Sequence, residues 1–258
     1  MRRHLDFLGL TYTLRELDNL LAWAVKERPD SATWLEHVLG GEAAHKLEDR
    51  ITRRVQGSGL KERKTLEAFD WDFQPSLDKT LILELARLDF IRRRDDLVIT
   101  GKAGTGKSHI LKAFALRACQ YGISMRYARC VDLLDDLNAA LADGSYPKRL
   151  KAWARPDLLI IDDVGLGQIK KRNDEPTAAH TLYNLIDRRH GRASTAVTSN
   201  ISLSEWGRYL GDATLTAAIL DRLAMHAIRI DVDGPSYRQH VAKQRADRSA
   251  TREVLATE

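Results

Sequence analysis

The sequence predicts an α/β protein: a parallel sheet flanked by helices, built around a phosphate-binding turn and preceded by an all-helical region. Three observations carry that expectation. "LVITGKAGTGKSHILKA" (residues 97–113) reads as a strand, a glycine-rich turn and the start of a helix. "DLLIIDDV" (157–164) is a second apolar run, closed by two carboxylates. Beyond residue 76, short apolar runs alternate with helical stretches, the order that gives a parallel sheet.

The N-terminal region reads as helices. Thr13 and Glu16 have the spacing of a capping box ahead of Leu14, Leu17, Leu21 and Val25, and Thr33 and Glu36 repeat it. Leu47, Ile51 and Val55 then recur every four residues, leaving Lys46, Arg50, Arg53 and Arg54 largely on the remaining surface. That surface is either a solvated charged face or a DNA-facing one, with Arg50, Arg53 and Arg54 as contacts. "GSGLKERK" and the aromatic, extended-looking "FDWDFQP" mark a break near 57–75. A helical domain is expected at 1–66 and an α/β domain at 67–258. Strands are expected at 97–100, 123–128, 158–162, 195–199 and 227–231.

The glycine-rich turn has a mechanical reading. Gly101, Gly106, Lys107 and Ser108 satisfy the G-x-x-x-x-G-K-[ST] spacing. Glycines let successive backbone N–H groups point at one anion, and the following helix adds its positive end. Residues Gly101, Lys102, Ala103, Gly104, Thr105, Gly106, Lys107, Ser108 and His109 are therefore the expected cradle for a nucleotide's phosphate chain. Lys107 would reach the β and γ phosphates, and the Ser108 hydroxyl would hold Mg²⁺. Asp162, at the end of the second apolar run, would hold Mg²⁺ through water. Asp163 is placed to orient or deprotonate an attacking water. Taken alone, the second run is better read as a core strand entering an acidic turn; behind a matched phosphate turn it reads as an acid pair at the site.

Composition narrows the classes. At 258 residues the chain can bury a sizeable core, and its formal charge of +5 hints at an anionic partner. Two cysteines, Cys119 and Cys130, cannot by themselves make a structural zinc site, and they fit a reducing compartment. No apolar run reaches the ~18 residues of a membrane span, and "MRRHLDFLGL" has a basic start without an apolar core. A cytoplasmic protein with no membrane partner is expected.

Further along, "STAVTSN" (194–200) is a β-rich run ending in Asn200, and "AILDRLAMH" (218–226) places Arg222 near a helix end. Taken with "TLEAFDW", "GKAGTGKSH", "LLIIDDVG", "SEWGRYLGD", "AAILDRL" and "GPSYR", these stretches occur in the order and spacing of IstB-like ATP-binding proteins. Those are helper ATPases of bacterial insertion sequences, similar to the helicase loader DnaC. The resemblance covers nearly the whole chain. It implies a P-loop AAA+ ATPase of the initiator clade, with a five-stranded parallel sheet, flanking helices and a small all-α N-terminal domain. It also implies assembly with ATP on double-stranded DNA and presentation of target DNA to the transposase of the same element. Asn200 would be sensor 1 and Arg222 an arginine finger acting on a neighbouring copy, which points to a head-to-tail homo-oligomer. Without other support, Arg222 could be a surface partner of Asp221. Asp163 departs from the glutamate common in AAA+ proteins, and its shorter reach suggests slow hydrolysis.

Initiator-type AAA+ proteins carry an extra helical insertion facing DNA before the acidic strand. Here 130–156 has room for two short helices, the second bearing Lys148, Arg149, Lys151 and Arg155. These would contact phosphates without base readout; an amphipathic helix with Leu150 and Trp153 packed inward is the plainer reading. "KKR" (170–172) is a further basic stretch. About 27 residues follow the last expected strand, too few for a complete helical lid, so Arg238 is a weak sensor-2 candidate. The alternatives are a DnaC-like helicase loader and, from another class, a P-loop small-molecule kinase; no N-K-x-D stretch supports a GTPase switch.

Overall fold

Five strands, β1 (Asp96–Gly101), β2 (Met125–Arg129), β3 (Leu158–Val164), β4 (Ser194–Ser199) and β5 (Ala227–Val232), form a single parallel sheet in the spatial order β2-β3-β4-β1-β5. The structure, a computed structural model, describes residues 1–169, 177–225 and 227–245, so "KKR" at 170–172 lies outside the described residues. All five strands fall where the apolar runs place them. Of the three inner strands, β3 and β4 are buried almost throughout, and β3 accordingly reads as a continuous apolar run rather than an alternating one.

Strand β4 is buried yet four of its six residues are polar, and its polar groups are paired. Thr195 donates its N–H to Asp96 at 2.6 Å, and Ser199 donates its hydroxyl to the Ile201 carbonyl at 2.6 Å while accepting from the Trp206 indole at 2.9 Å. Such pairing offsets the cost of burying polar atoms.

Helices α5 (Lys79–Leu85) and α6 (Asp89–Arg93) precede β1, and α7 (Lys107–Gln120) carries the chain from β1 to β2. Helices α8 (Cys130–Ala142) and α9 (Tyr146–Ala154) fill the interval before β3, as the sequence predicts. Helix α10 (Ala178–Arg189) leads into β4, and α11 (Trp206–Leu210) and α12 (Ala213–Ala224) lead into β5. Side-chain caps set several starts: Asp78, Thr177 and Asp212 each accept an N–H from the first turn. Leu133, Leu137, Trp153, Ile161, Leu185, Val197 and Ile219 meet in one core on this side of the chain. Cys119 and Cys130 are both buried. Among the described residues, no helix is long and apolar enough to cross a membrane.

The chain divides into two compact units, residues 1–56 and 57–258. The first unit holds α1 (Arg2–Phe7), α2 (Thr11–Arg15), α3 (Leu17–Glu27) and most of α4 (Ser31–Ser58). Both expected capping boxes are corrected here. Thr13 lies inside α2, where its N–H and hydroxyl donate to the buried Glu42 carboxylate at 2.8 and 2.9 Å. Helix α4 begins at Ser31, and Asp30 rather than Thr33 is the acceptor, taking the Thr33 N–H at 2.8 Å. The expected apolar stripe is also shifted: Leu17, Leu20 and Val55 are buried, while Leu21, Val25 and Leu47 are exposed. A tertiary acceptor, Glu42, claims the group that sequence spacing assigns to a local cap.

Glu42 is thus the polar tie of the N-terminal unit. Glu42→Ala leaves the buried Thr13 donors without a partner and should cost about 2 kcal/mol. Thermal unfolding followed by circular dichroism checks this: the helical unit should melt earlier, and an unchanged transition would contradict the assignment.

Candidate nucleotide site

The site is assembled at the carboxyl ends of β1, β3 and β4, where open parallel sheets place their ligand clefts. The turn from β1 into α7 has left-handed backbone at Gly104 (φ 88°) and Gly106 (φ 99°). Both positions are also crowded. A Cβ on Gly104 would lie 2.1 Å from the Ser236 hydroxyl, and one on Gly106 would lie 2.6 Å from the Phe69 ring. Glycine is required twice over, by conformation and by space. Thr105, fully buried, closes the turn by donating to the Lys102 carbonyl at 2.9 Å; Lys102 and Ala103 stay exposed at its rim.

Lys107 is buried, and its ammonium donates to the carbonyls of Gly101 and Lys102, each at 2.7 Å, and to Asn200 Oδ1 at 3.0 Å. Asn200 Nδ2 donates to Asp163 Oδ1 at 3.0 Å. Ammonium groups only donate and carboxylates only accept, so this pairing fixes the amide orientation. Lys107, Asn200 and Asp163 therefore form one hydrogen-bonded chain. Burial pulls the Lys107 ammonium down to about 8; the charges of Asp163 and Asp162 oppose the shift, and Arg238 adds to it.

Asp162 is the most heavily bonded acceptor of the site. Ser108 donates to it at 2.9 Å, the hydroxyls of Tyr127 and Thr198 donate to it at short range, and the Asp163 N–H lies 3.1 Å away. Burial and the adjacent Asp162 charge push the Tyr127 phenol up, which keeps it a donor. Between Ile161 and Val164 the β3–β4 register slips, and Asp163 sits in that bulge with φ 61°. The bulge turns consecutive acids in different directions: Asp162 toward Ser108, Asp163 toward Asn200. Thr198 fixes the bulge by accepting the Asp163 N–H at 2.8 Å.

Two further layers are not legible in the motifs. The 66–75 stretch is a series of turns rather than extended chain. Phe69 packs on Gly106 and meets the His109 ring edge-on at 5.2 Å, while His109 Nε2–H donates to the Thr65 carbonyl at 2.8 Å. Phe73 meets the Tyr237 ring edge-on at 5.2 Å and the His240 ring at a tilt at 4.8 Å, and Gln74 donates to the Pro235 carbonyl at 2.8 Å. Tyr237 N–H in turn donates to the Gly104 carbonyl at 3.0 Å. "FDWDFQ" and "GPSYR" thus brace the phosphate turn together. That places Arg238, exposed, close enough to act on the charge of Lys107.

The remaining candidates lie apart from this cluster. Arg222 on α12 is held within its own chain: Nε donates to Asp187 at 2.9 Å, Nη2 donates to the Tyr183 hydroxyl at 2.7 Å, and the guanidinium lies over that ring. Its partner is Asp187, not Asp221. On α9, Leu150 and Trp153 face the core, while Lys148, Arg149, Lys151 and Arg155 are exposed. Arg149 is paired with Asp136 at 3.1 Å, which also takes the Trp153 indole N–H. Arg50, Arg53 and Arg54 are exposed along α4.

These donors fit a nucleoside triphosphate with a hard divalent cation: open backbone N–H groups, a buried ammonium, and a hydroxyl beside a carboxylate oxygen. The Lys107 shift gives a signed prediction. Phosphates favour the charged ammonium, so ATP affinity should be flat below about pH 7 and fall by up to about tenfold per pH unit above 8. The nucleotide-free fold should move the other way, gaining stability as pH climbs from about 8 toward 10.5, where an unfolded lysine still binds its proton. Calorimetric titration across that range checks both; affinity that does not change with pH would contradict the buried ammonium.

The chain matches the family described as IstB-like ATP binding protein over residues 4–246. It is 35% identical over 205 residues to a protein of Geobacillus stearothermophilus named as an ATP-binding protein of insertion sequence IS5376, covering 80% of each chain. It is 30% identical over 243 residues to the corresponding IS232 protein of Bacillus thuringiensis subsp. berliner, covering 93% of this chain and 95% of that one. AMPPCP-bound DnaA from Aquifex aeolicus shares its fold with a TM-score of 0.55 at 18% identity, over 73% of this chain and 56% of that one. The sheet order and the phosphate turn are those of the AAA+ P-loop fold, and the chain belongs to the IstB-like ATP-binding protein family.

Proposed function

We propose that the protein is a Mg²⁺-dependent ATPase that assembles on double-stranded DNA and delivers target DNA to the transposase of its own insertion sequence. The observation that carries the reading is the chain from Lys107 through Asn200 to Asp163, inside an insertion-sequence family. It links the group that holds phosphate to the acid that would handle water. When bound, Mg²⁺ would neutralise charge between the phosphates, held by Ser108 and, through water, by Asp162. Lys107 exchanges the carbonyls of Gly101 and Lys102 for phosphate oxygens. Asn200, released from Lys107, keeps Asp163 oriented. Asp163 accepts the proton of the attacking water; its short side chain keeps turnover slow.

Arg222 gives the reading its assembly step. In the described chain it is occupied by Asp187 and Tyr183, so service as a finger on a neighbouring copy requires it to leave both. Head-to-tail contact on DNA would supply the competing anion. Exposed cations on α9 and α4, namely Lys148, Arg149, Lys151 and Arg155 with Arg50, Arg53 and Arg54, would contact phosphates without reading bases. The cytoplasm, where nucleotide and DNA coexist, is the matching compartment.

Asp163→Asn should retain ATP and lose hydrolysis; full turnover would move the water-handling role elsewhere. ATP should drive oligomers on duplex DNA, read by sedimentation, and ADP should not. Arg222→Ala should bind ATP yet fail to assemble or hydrolyse. Mixed with Lys107→Ala, it should regain some activity, because one kind of interface pairs an intact site with an intact finger. Co-assembled mixtures that stay inactive would contradict the role in trans.

A further inference from the structure

Because every strand pairing is parallel, each helix-to-strand junction falls at one edge of the sheet, opposite the phosphate turn. The four junctions entering β2, β3, β4 and β1 stand side by side in the sheet order. At ~4.8 Å per strand, they make a row ~14 Å long. Arginine dominates it. Arg117 lies in the last turn before β2, Arg155 precedes β3, Arg188 and Arg192 precede β4, and Arg87 and Arg92 lie ahead of β1. Among the described residues, Arg87, Arg188 and Arg192 are exposed and have no ion pair.

Acids offset part of this charge. Asp89 is tied to Arg92, Asp95 is tied to Arg93 at 2.7 Å, and exposed Asp157 stands in the β3 junction beside Arg155. The positive excess therefore lies on Arg87, Arg188 and Arg192. The scaffold beneath is rigid. Buried Arg189 donates to the carbonyls of Ala154 and Pro156 at 2.9 and 2.7 Å and to the Thr195 hydroxyl at 3.0 Å, joining the β3 and β4 junctions. Arg94 donates to the Gly191 carbonyl at 3.1 Å, joining β4 to β1. On one face of the row, Arg87, Arg92 and Arg117, with Asp89 paired to Arg92, line an open groove of about 730 Å³ over Leu88, Tyr121 and Ile123.

From this geometry we infer that the edge opposite the nucleotide is a second binding surface for the phosphate backbone of duplex DNA. The inference rests on the DNA reading above and goes beyond it, since the surfaces assigned there lie on α9 and α4 and share only Arg155 with this row. Guanidiniums in a fixed row match a linear, regularly charged polyanion. A folded acidic partner would call for an apolar centre to its interface. The two central junctions, 155–157 and 190–193, carry no large apolar side chain. Duplex held on this edge leaves the nucleotide cleft free for a neighbouring copy.

The test uses the full chain with ATP and carries Arg87→Gln, Arg92→Gln, Arg188→Gln and Arg192→Gln together, all at exposed positions. ATP affinity and thermal unfolding should stay as in the parent. Affinity for a labelled duplex of random sequence should fall about tenfold or more at low salt. The slope of log affinity against log salt should flatten by about 0.9 for each phosphate that is no longer neutralised. Parent-like affinity and slope in this variant would overturn the edge assignment while leaving the DNA reading intact. A parent chain that binds no duplex with or without ATP would overturn both. Loss of poly-glutamate binding with duplex binding retained would transfer the surface to an acidic protein, again overturning the assignment.

Discussion

The Asp162 carboxylate is the point on which the rest of the site depends. It receives hydroxyls from three separate segments: Ser108 of the phosphate turn, Tyr127 of β2 and Thr198 of β4. One buried carboxylate thus fixes the helix that carries Lys107, the edge strand β2 and the inner strand β4 in register. A buried charge is stable only when its lone pairs are satisfied, so each donor is as necessary as the acid itself. The same constraint explains the bulge. With Asp162 committed to three hydroxyls, Asp163 must turn away, and the left-handed backbone at Asp163 does so.

Parallel topology then divides labour between the two edges of the sheet. Carboxyl ends of strands collect the turn, the acids and Asn200; amino ends collect the arginines. Neither collection is visible from one stretch of sequence, because each member comes from a different strand connection. The arrangement follows from the strand direction alone. It also keeps the basic row away from Lys107, whose buried ammonium would be depressed further by nearby cations.

What sequence makes legible is local. Strand β3 and the turn into α7 announce themselves by apolar runs meeting Gly, Lys and Asp at fixed spacing, and every strand lies where expected. Tyr127 and Thr198 stay hidden because nothing in "SMRYARC" or "STAVTSN" tells which side chain will reach Asp162 across two strands. The brace of Phe69, Phe73 and Tyr237 joins segments more than 160 residues apart and has no periodic signature. Thr13 misleads for the opposite reason: its local capping pattern is genuine, but Glu42, 29 residues away, is the stronger acceptor. Arg222 stands out in the sequence as an unusual helix-end arginine, while its ties to Asp187 and Tyr183 depend on how α12 packs on α10.

If Asp162 organises the site, removing one donor without touching the nucleotide should slow the reaction. Tyr127→Phe deletes a single hydroxyl on an edge strand and leaves Lys107, Ser108 and both acids in place. Measured together, ATP affinity should stay within about twofold and turnover should fall about tenfold or more, the range for groups that orient a site from behind it. Turnover equal to the parent, in a folded variant with unchanged ATP affinity, would contradict the central place given to Asp162.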